Sequence, residues 1–345
     1  MEYRRSSRAI ALGLSLVVGA VARVVPSQSP SSAAGARVVG ARSFSPMVEN
    51  VDQTATFYER LGLKVTPPPA GTTYPWDTEE WHYDLHGAQA PRSQMRFMYA
   101  SVPGAVPPAT PLLLEPVEHR NIDRQARVAK PQDPGAVTLV LIVRDLDAAA
   151  ARLPAGARRA VRWVTTYGGS AQAMTVAVPG AHLVELLQLD PVPQSTAPAN
   201  AAVIGAWVRV TVGDLDRTLG LYRDQFGLAF QLSTSDDAAF GGLVGAKAAR
   251  FRIATTVLPT TSMKLEFLEV TGVERTPVVP RIQDPGAVRI QLTVGSLEAA
   301  LDALKHAGAS TAASVGGIIT QPQYRVAVAS DLNGLFLVLT DRRRP

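Results

Sequence analysis

Gln132-Asp133-Pro134-Gly135-Ala136-Val137 returns 151 residues later as Gln283-Asp284-Pro285-Gly286-Ala287-Val288. The match continues upstream of both copies without a gap, and it aligns three charged pairs: Glu115 with Glu266, Glu118 with Glu269, and Arg124 with Arg275. A fixed period of this kind indicates a duplicated structural unit. A second stretch supports it, because Met47 to Tyr58 matches Thr211 to Tyr222 at a spacing of 164 residues.

A shorter motif divides each copy again. A valine followed by an acidic residue four positions later occurs at Val48 to Asp52, Val143 to Asp147, Val212 to Asp216 and Val294 to Glu298. Three of these motifs follow an apolar-alternating run, which predicts a half-buried strand, and a helical pattern comes after the motif. The predicted helix ends are marked by glycines suited to a left-handed cap: Gly62, Gly156, Gly227 and Gly308.

More strand-like runs follow each predicted helix, so each unit is predicted to be βαβββ. The fold class is therefore α+β, with four such units in tandem at about 39–120, 135–190, 203–271 and 286–342. The segment 191–202 is rich in proline and small residues and is predicted to be a linker. We therefore expect two domains of two units each, 39–190 and 203–342, with mixed sheets curled around a cavity.

The N-terminus is predicted to lie outside the fold. Arg4, Arg5 and Arg8 precede a run of 14 uncharged residues, Ala9 to Ala22, which ends in a small-residue cleavage pattern. The run is short for a bilayer span, so residues 1–22 are predicted to be a cleavable signal peptide and 23–38 a disordered spacer. The expected location is secreted or periplasmic, without stable membrane insertion after cleavage. An uncleaved membrane anchor is the alternative.

Composition excludes several functional classes. The chain has no cysteine, which excludes disulfides, thiolate metal sites and a cysteine nucleophile. The formal net charge is +5, but the basic residues are scattered and form no aromatic-interleaved stripe, so no nucleic-acid partner is expected.

The tandem units resemble the vicinal oxygen chelate superfamily, which includes glyoxalase I, extradiol dioxygenases and bleomycin-resistance proteins. The resemblance is carried by VENVDQTATFYERLG (48–62), VGDLDRTLGLYRDQFG (212–227) and closing strands such as Leu183-Val184-Glu185-Leu186. It implies paired units that form a half-barrel around a divalent metal. The metal would polarise two adjacent substrate oxygens, with His or Gln ligands on first strands and Glu on last strands.

The four first-strand ligand positions implied by the resemblance hold Ser43, Thr138, Trp207 and Arg289. The four last-strand positions hold Glu115, Glu185, Glu266 and Val338. None of the first-strand residues is His or Gln, the ligands that Fe, Zn and Ni sites of this kind use. Two carboxylates with hydroxyls would suit Mg or Mn, weakly. The sequence therefore leaves two possibilities: the protein has no cofactor, or it binds a divalent metal, with Mg, Mn, Fe, Zn and Ni as candidates.

From this comparison we expect the functional site in the N-terminal pair of units. Glu115 and Glu185 would be catalytic residues and metal ligands, and Ser43 and Thr138 would orient the substrate. Trp81 and Tyr83, in a long loop, would cap the cavity and bind the ligand. The alternative for the duplicated glutamates is pairing with arginines on neighbouring strands, with Arg92 and Arg250 as candidates.

Two functional hypotheses remain open from the sequence. One is an exported glyoxalase- or dioxygenase-like protein, a divalent-metal lyase, isomerase or dioxygenase whose usual His ligands are missing. The other is a non-catalytic module that binds and sequesters a small molecule, or a structural protein with a filled cavity. The expected partner is a small-molecule ligand, and the chain is expected to be a monomer or a homodimer.

Overall fold

The computed structural model describes residues 35–67, 93–127, 129–154, 159–164, 169–176, 178, 182–309 and 317–342. These residues form four strand-rich units with few helices, which confirms the α+β fold class. No helix among them is both long and apolar enough to cross a bilayer. The predicted signal peptide lies outside the described residues, as do Trp81 and Tyr83 of the predicted loop site.

The elements of the first two units follow in chain order. Unit one consists of β1 (Val38–Pro46), α1 (Val51–Arg60), β2 (Lys64–Thr66), β3 (Gln94–Phe97), β4 (Tyr99–Ser101), β5 (Leu113–Leu114) and β6 (Val117–Arg120). Unit two consists of β7 (Val137–Val143), α2 (Leu146–Ala151), β8 (Arg159–Val164), β9 (Ser170–Val176) and β10 (Leu183–Asp190).

The third unit carries one helix more than the βαβββ pattern. It consists of β11 (Val203–Val212), α3 (Leu215–Leu219) with a π-helical continuation (Gly220–Gln225), β12 (Gln231–Ser235), α4 (Ala238–Leu243), β13 (Arg250–Val257) and β14 (Lys264–Thr271). Unit four consists of β15 (Val288–Val294), α5 (Leu297–His306), β16 (Ile319–Thr320), β17 (Tyr324–Ser330) and β18 (Phe336–Arg342).

Unit one pairs with unit four, and unit two pairs with unit three. The first sheet has the strand order β16-β17-β18-β15-β1-β5-β4-β2, and the second has the order β12-β13-β14-β11-β7-β10-β9-β8. Each sheet is joined at its centre by two antiparallel first strands, β1 with β15 and β7 with β11. We refer below to the one–four sheet and the two–three sheet.

This pairing corrects the expected grouping of units one with two and three with four. The segment 191–202, expected to separate two domains, instead connects β10 and β11, which belong to the same sheet. It also packs on the fold: the hydroxyl of Thr196 donates to the carbonyl of Ala105 at 2.6 Å. The proline-rich composition of 191–202 therefore marks a loop between two strands of one sheet and not a boundary between domains.

The repeated QDPGAV motif lies where the chain crosses between the sheets. The carboxylate of Asp133 accepts from the backbone N–H of Thr276 at 3.0 Å, and that of Asp284 accepts from the N–H of Gln125 at 2.9 Å. Each copy of the motif thus binds the connecting segment that precedes the other copy. Segment 121–134 connects unit one to unit two, and segment 272–285 connects unit three to unit four. Each segment runs from one sheet to the other, so consecutive units in these two pairs belong to different sheets.

The first helix of each unit begins where the sequence predicts, and those of units one, three and four also end there. A side-chain oxygen at each N-cap accepts from a backbone N–H three residues later, and the N-cap residues are Asn50, Asp145, Asp214 and Ser296. Gly62, Gly227 and Gly308 have φ between 71° and 83°, the left-handed conformation expected at helix ends. Gly156 lies outside the described residues.

A duplicated ion-pair clasp ties a strand to a helix start in units one and three. In unit three, Glu269 accepts from the N–H of Leu215 at 3.2 Å, and Arg252 bridges Glu269 to Asp216. The corresponding glutamate in unit one is Glu118, which accepts from Val51 and pairs with Arg96. These two glutamates are therefore paired with arginines on neighbouring strands, as the alternative in the sequence analysis proposed. The arginines are Arg96 and Arg252, whereas that alternative named Arg92 and Arg250.

The predicted spacer 23–38 extends too far into the fold. Ala36 and Val38 are buried, and Val38 begins β1. The carbonyl of Gly35 accepts from the N–H of Ser296, at the start of α5. Residues 35–38 are thus part of the packed structure.

Candidate functional site

Each sheet has one face toward the first helices of its two units and one face away from them. The helix-bearing faces of both sheets contribute to one large cluster of buried apolar residues. The opposite faces carry the positions that the sequence comparison singled out, each with a smaller cluster of its own. We call these opposite faces the inner faces.

On the inner face of the two–three sheet, Arg209 lies between two glutamates. Its Nε atom donates to Oε1 of Glu266 at 2.6 Å, and its Nη1 atom donates to Oε2 of Glu185 at 2.5 Å. All three side chains are at most 4% exposed. The two carboxylates that a metal would use on this face are therefore bridged by an internal cation.

Burial dominates the electrostatics of this triad. Burial raises the pKa of Glu185, and the charge of Arg209 opposes the increase. Burial alone would lower the pKa of Arg209, but the two adjacent glutamates outweigh it and raise that pKa. Oε1 of Glu185 is buried and accepts no hydrogen bond from any described residue.

Large side chains fill the rest of this inner face. Phe240, from the extra helix α4, lies with its ring 5.3 Å from the guanidinium carbon of Arg209. The ammonium of Lys264 lies 4.1 Å from the ring centre of Trp207, in cation–π contact. Trp207 and Phe240 belong to the buried cluster of this face. The two–three sheet thus has a closed inner face.

The inner face of the one–four sheet has a different centre. Oε2 of Glu115 accepts from the hydroxyl of Ser45 at 2.8 Å and from that of Ser43 at 3.2 Å. The Ser43 hydroxyl also lies 3.4 Å from Oε1 of Gln291, which comes from unit four. Both serines are buried and Glu115 is only partly buried. Oε1 of Glu115 has no hydrogen-bond partner among the described residues.

Charges around Glu115 alter neighbouring groups. Burial lowers the pKa of Arg289, and the charge of Glu115 opposes that change. The pKa of Tyr99 is raised to about 12, first by burial and then by Glu115. The pKa of His119 is lowered to about 3 by burial and by Arg289 and Arg124, so this imidazole is neutral at pH 7.

A cleft of about 660 Å³ opens on the same face. Its walls include Gln291, Thr293 and Thr340 from unit four, Tyr324 at the rim, Arg42 from β1, and Thr260 from the hairpin between β13 and β14. Arg42 is exposed and forms no ion pair within the part of the chain that the structure describes. The cleft therefore presents a cation at its mouth, and Gln291 links its wall through Ser43 to Glu115.

The two inner faces are related residue by residue. In the register of the sheets, Arg209 lies opposite Glu266, and Ser45 lies at the corresponding position beside Glu115. Val338 lies opposite Gln291, at the position that Glu185 holds in the other sheet. The one–four sheet thus lacks both the bridging arginine and the second carboxylate.

The predicted site residues are divided between the two sheets. Ser43 and Glu115 are in contact in the one–four sheet, as expected. Glu185 and Thr138 lie in the two–three sheet, where Thr138 is opposite Arg209 in the strand register. The expectation that Glu115 and Glu185 share one site is therefore wrong, because their units do not pair.

Four residues of the inner faces were missed by the sequence comparison: Arg42, Ser45, Arg209 and Gln291. Three of these follow a first-strand ligand position implied by the resemblance by two residues, so they lie on the same side of the strand. Alternation along the strand was thus a sufficient signal for Ser45, Arg209 and Gln291. Arg42 had no such signal, because β1 contains register shifts on either side of Ala41.

Among the described residues, the donor set of neither face fits the divalent metal of the resembling family. The one–four face offers the carboxylate of Glu115, with the buried Arg289 close by and Val338 in place of a second acid. The two–three face offers two carboxylates, but Arg209 occupies the space between them and neutralises them. No cluster of three or more His, Asp or Glu side chains suited to a metal occurs within the described ranges.

Comparison with known proteins identifies the fold. No protein-family model and no curated protein sequence matches the chain. Glyoxalase I from Zea mays is similar in structure, with 16% identity, 88% of this chain and 92% of that chain covered, and a TM-score of 0.53. A Bacillus subtilis protein of proposed dioxygenase activity covers 89% of this chain and 86% of its own, with 12% identity and a TM-score of 0.51. At these identities the likeness establishes the fold and no reaction.

Proposed function

We propose a function for a chain that has the fold of the vicinal oxygen chelate superfamily: metal-independent binding of a small hydroxylated anion on the inner face of the one–four sheet. The two–three sheet is, on this proposal, a structural copy whose binding positions have become an ion-pair core. The observation that carries the proposal is the state of Glu115. Two serine hydroxyls hold one of its oxygens, and the other oxygen has no partner among the described residues.

The charge distribution of the cleft indicates the ligand class. Arg42 presents a guanidinium that can bind a carboxylate through two parallel hydrogen bonds. Glu115, which Ser43 connects to Gln291 in the cleft wall, is an acceptor, so it suits a hydroxyl on the same ligand. Tyr324 and Val39 add apolar surface in the same cleft. A 2-hydroxy acid combines these features in a few atoms.

Metal-independence follows from the donor set on both faces. A dication needs several anionic or imidazole ligands, and the described residues of the one–four face supply only Glu115, beside a buried arginine. The ligand's negative charge would be balanced by Arg42 instead. The proposal also includes export of the protein, and this part rests only on the signal-peptide pattern in the sequence of residues 1–22.

Calorimetric titration of EDTA-treated protein tests this function. We expect mandelate, and more weakly lactate, to bind wild type, while uncharged propane-1,2-diol does not. Glu115→Gln and Arg42→Gln each remove a charge-assisted hydrogen bond, worth about 1.5–3 kcal/mol, and should weaken binding by about tenfold or more. Glu59→Gln and Arg60→Gln change exposed residues of α1 and should leave the affinity unchanged. Equal affinity of all five proteins would overturn the proposal.

A second candidate is an enzyme in which Glu115 transfers a proton. The positioned oxygen Oε2 and the uncommitted oxygen Oε1 are the arrangement that a general base needs. Glu115 would abstract the proton from the carbon next to the ligand's carboxylate, and Arg42 would hold that carboxylate. Exchange of the C2 hydrogen of mandelate in D₂O, measured by NMR, distinguishes catalysis from binding. Exchange that requires Glu115 supports the enzyme, and binding without exchange supports the binding protein.

A further inference from the structure

A second cleft, of about 590 Å³, shares no residue with the first. It lies where units three and four meet, between the start of α3, the end of α5, and the turn 330–334. The segment between the sheets, including Arg275, Pro277, Val278 and Val279, closes one side. The proposed function makes no use of this cleft.

Arg275 is the unusual residue of this cleft. Its Nη1 atom is buried and has no hydrogen-bond partner among the described residues. A buried guanidinium N–H without an acceptor is costly, so such an atom requires an explanation. Its duplicate in unit one, Arg124, donates to the carbonyl of Val48 at 3.5 Å. The missing acceptor is therefore specific to Arg275.

A second guanidinium lies in the same cleft. Arg217 is exposed and donates through Nη2 to the carbonyl of Ala307, at the end of α5, at 3.1 Å. That bond leaves further N–H groups of Arg217 available, because a guanidinium has five. The position equivalent to Arg217 in unit one is Gln53, so Arg124, the duplicate of Arg275, has no second arginine at the position corresponding to Arg217.

The acidic residues of the cleft are already committed. Asp214 caps α3 by accepting from the N–H of Arg217 at 2.9 Å. Asp331 accepts from the hydroxyl of Tyr222 at 2.9 Å and from the N–H of Leu335 at 2.9 Å. Burial raises the pKa of Asp331, which further weakens it as a partner for a cation. Neither acid supplies the acceptor that Arg275 lacks.

An apolar wall stands beside the arginines. Pro277, Val278 and Leu332 line the cleft, and Val279 at its edge is 76% exposed. An exposed valine beside unsatisfied donors indicates a ligand with both an anionic and an apolar part. Inorganic phosphate alone would leave that wall uncovered.

We propose that this second cleft binds a small organic anion, a carboxylate or phosphate ester with an apolar group, whose oxygens accept from Arg275 and Arg217. The apolar group packs on Val279 and its neighbours. Because the cleft joins units that belong to different sheets, the bound anion also stabilises the junction between the sheets. Arg275 is the principal recognition residue, since rotation of its side chain toward the cleft would give the buried Nη1 atom the acceptor that it lacks.

The test uses phenyl phosphate, benzoate, inorganic phosphate and uncharged phenol as probes, titrated by calorimetry into the full chain. All measurements use the Arg42→Gln background, so that the first cleft does not contribute. We expect phenyl phosphate or benzoate to bind, inorganic phosphate to bind more weakly, and phenol not to bind. The stronger of the two aromatic anions identifies whether phosphate or carboxylate is the preferred group.

Matched variants locate the binding. Arg275→Gln should weaken it by at least about tenfold, the loss of a charge-assisted hydrogen bond, and the duplicate change Arg124→Gln should leave it within about twofold. Val279→Glu places a like charge at the exposed edge and should also weaken binding, while Val279→Lys should not. The Val279 pair keeps the test decisive if Arg275→Gln fails to fold. The proposal is overturned if neither aromatic anion binds, if phenol binds equally well, or if Arg275→Gln and Val279→Glu both bind like wild type.

Discussion

Ser45 and Arg209 hold the same position in the duplicated first strand, and each donates to the last-strand glutamate of its own unit. Ser45 donates to Glu115 at 2.8 Å, and Arg209 donates to Glu266 at 2.6 Å. This difference, together with Val338 in place of a second carboxylate, distinguishes the two inner faces. A serine leaves its glutamate with an oxygen for a ligand, whereas an arginine neutralises its glutamate and bridges it to Glu185.

The first prediction concerns the stability supplied by the triad. Arg209→Met leaves Glu185 and Glu266 buried without a counter-charge, so it should lower the free energy of unfolding by about 3–5 kcal/mol. Urea denaturation followed by circular dichroism measures the loss. Arg60→Met, an exposed control on α1, should change it by less than about 0.5 kcal/mol.

A triple variant isolates the reason for that loss. Replacing Glu185 and Glu266 by Leu together with Arg209→Met removes all three charges and should restore most of the stability. If Arg209→Met alone is as stable as wild type, the triad is not the buried ion-pair core described above.

The glutamates of the triad should affect stability and not binding. Glu185→Gln and Glu266→Gln weaken charge-assisted bonds to Arg209, so each should lower the denaturation midpoint in urea. Both should leave the affinity for mandelate within about twofold of wild type. This expectation replaces the sequence-based one, in which Glu185 would be a catalytic residue and a metal ligand. Loss of mandelate binding in Glu185→Gln would restore the earlier assignment.

His119 should make the protein less stable in acid. Its pKa in the fold is about 3, below the ordinary value of 6.5, so between these values the unfolded chain takes up a proton that the folded chain does not. Stability therefore falls as pH drops through about 6.5 toward 3, by up to about 1.4 kcal/mol per pH unit from this group. His119→Gln should reduce that slope when unfolding is measured from pH 7 to pH 4. The exposed control His306→Gln should keep the wild-type slope, and an unchanged slope in His119→Gln would contradict the assignment.

Divalent metals should be dispensable. Because neither inner face has a suitable donor set, EDTA treatment should leave both the melting temperature and the mandelate affinity unchanged. Addition of Mg²⁺, Mn²⁺, Fe²⁺, Zn²⁺ or Ni²⁺ should also leave them unchanged. Elemental analysis of untagged protein provides the complementary measurement. A stoichiometric metal whose removal lowers mandelate affinity would refute metal-independence.

Local structure was largely predictable from the sequence, whereas the pairing of units was not. Helix caps and left-handed glycines depend on neighbouring residues only, so Asp214 and Gly227 identified a helix's start and end. The pairing depends on how Asp133 and Asp284 each bind the connecting segment of the other copy. Those contacts join residues more than 140 positions apart, which no local pattern reveals.

The candidate site was predictable in part for a related reason. Ser43 and Glu115 were identified because unit one supplies both of them. Gln291 comes from unit four, so its contact with Ser43 required the correct pairing. Arg209 could also have been predicted from the sequence, because it lies two residues after Trp207 and so on the same face of the strand. It is not one of the ligand positions that the resemblance implies.

The most direct test of the central claim is a crystal structure of the protein grown with mandelate and EDTA. The account predicts mandelate in the cleft of the one–four sheet, with its carboxylate on Arg42 and its hydroxyl toward Oε1 of Glu115. The triad of the two–three sheet should be unchanged. Mandelate on the two–three face, mandelate held through a metal ion, or a cleft without mandelate would contradict the account.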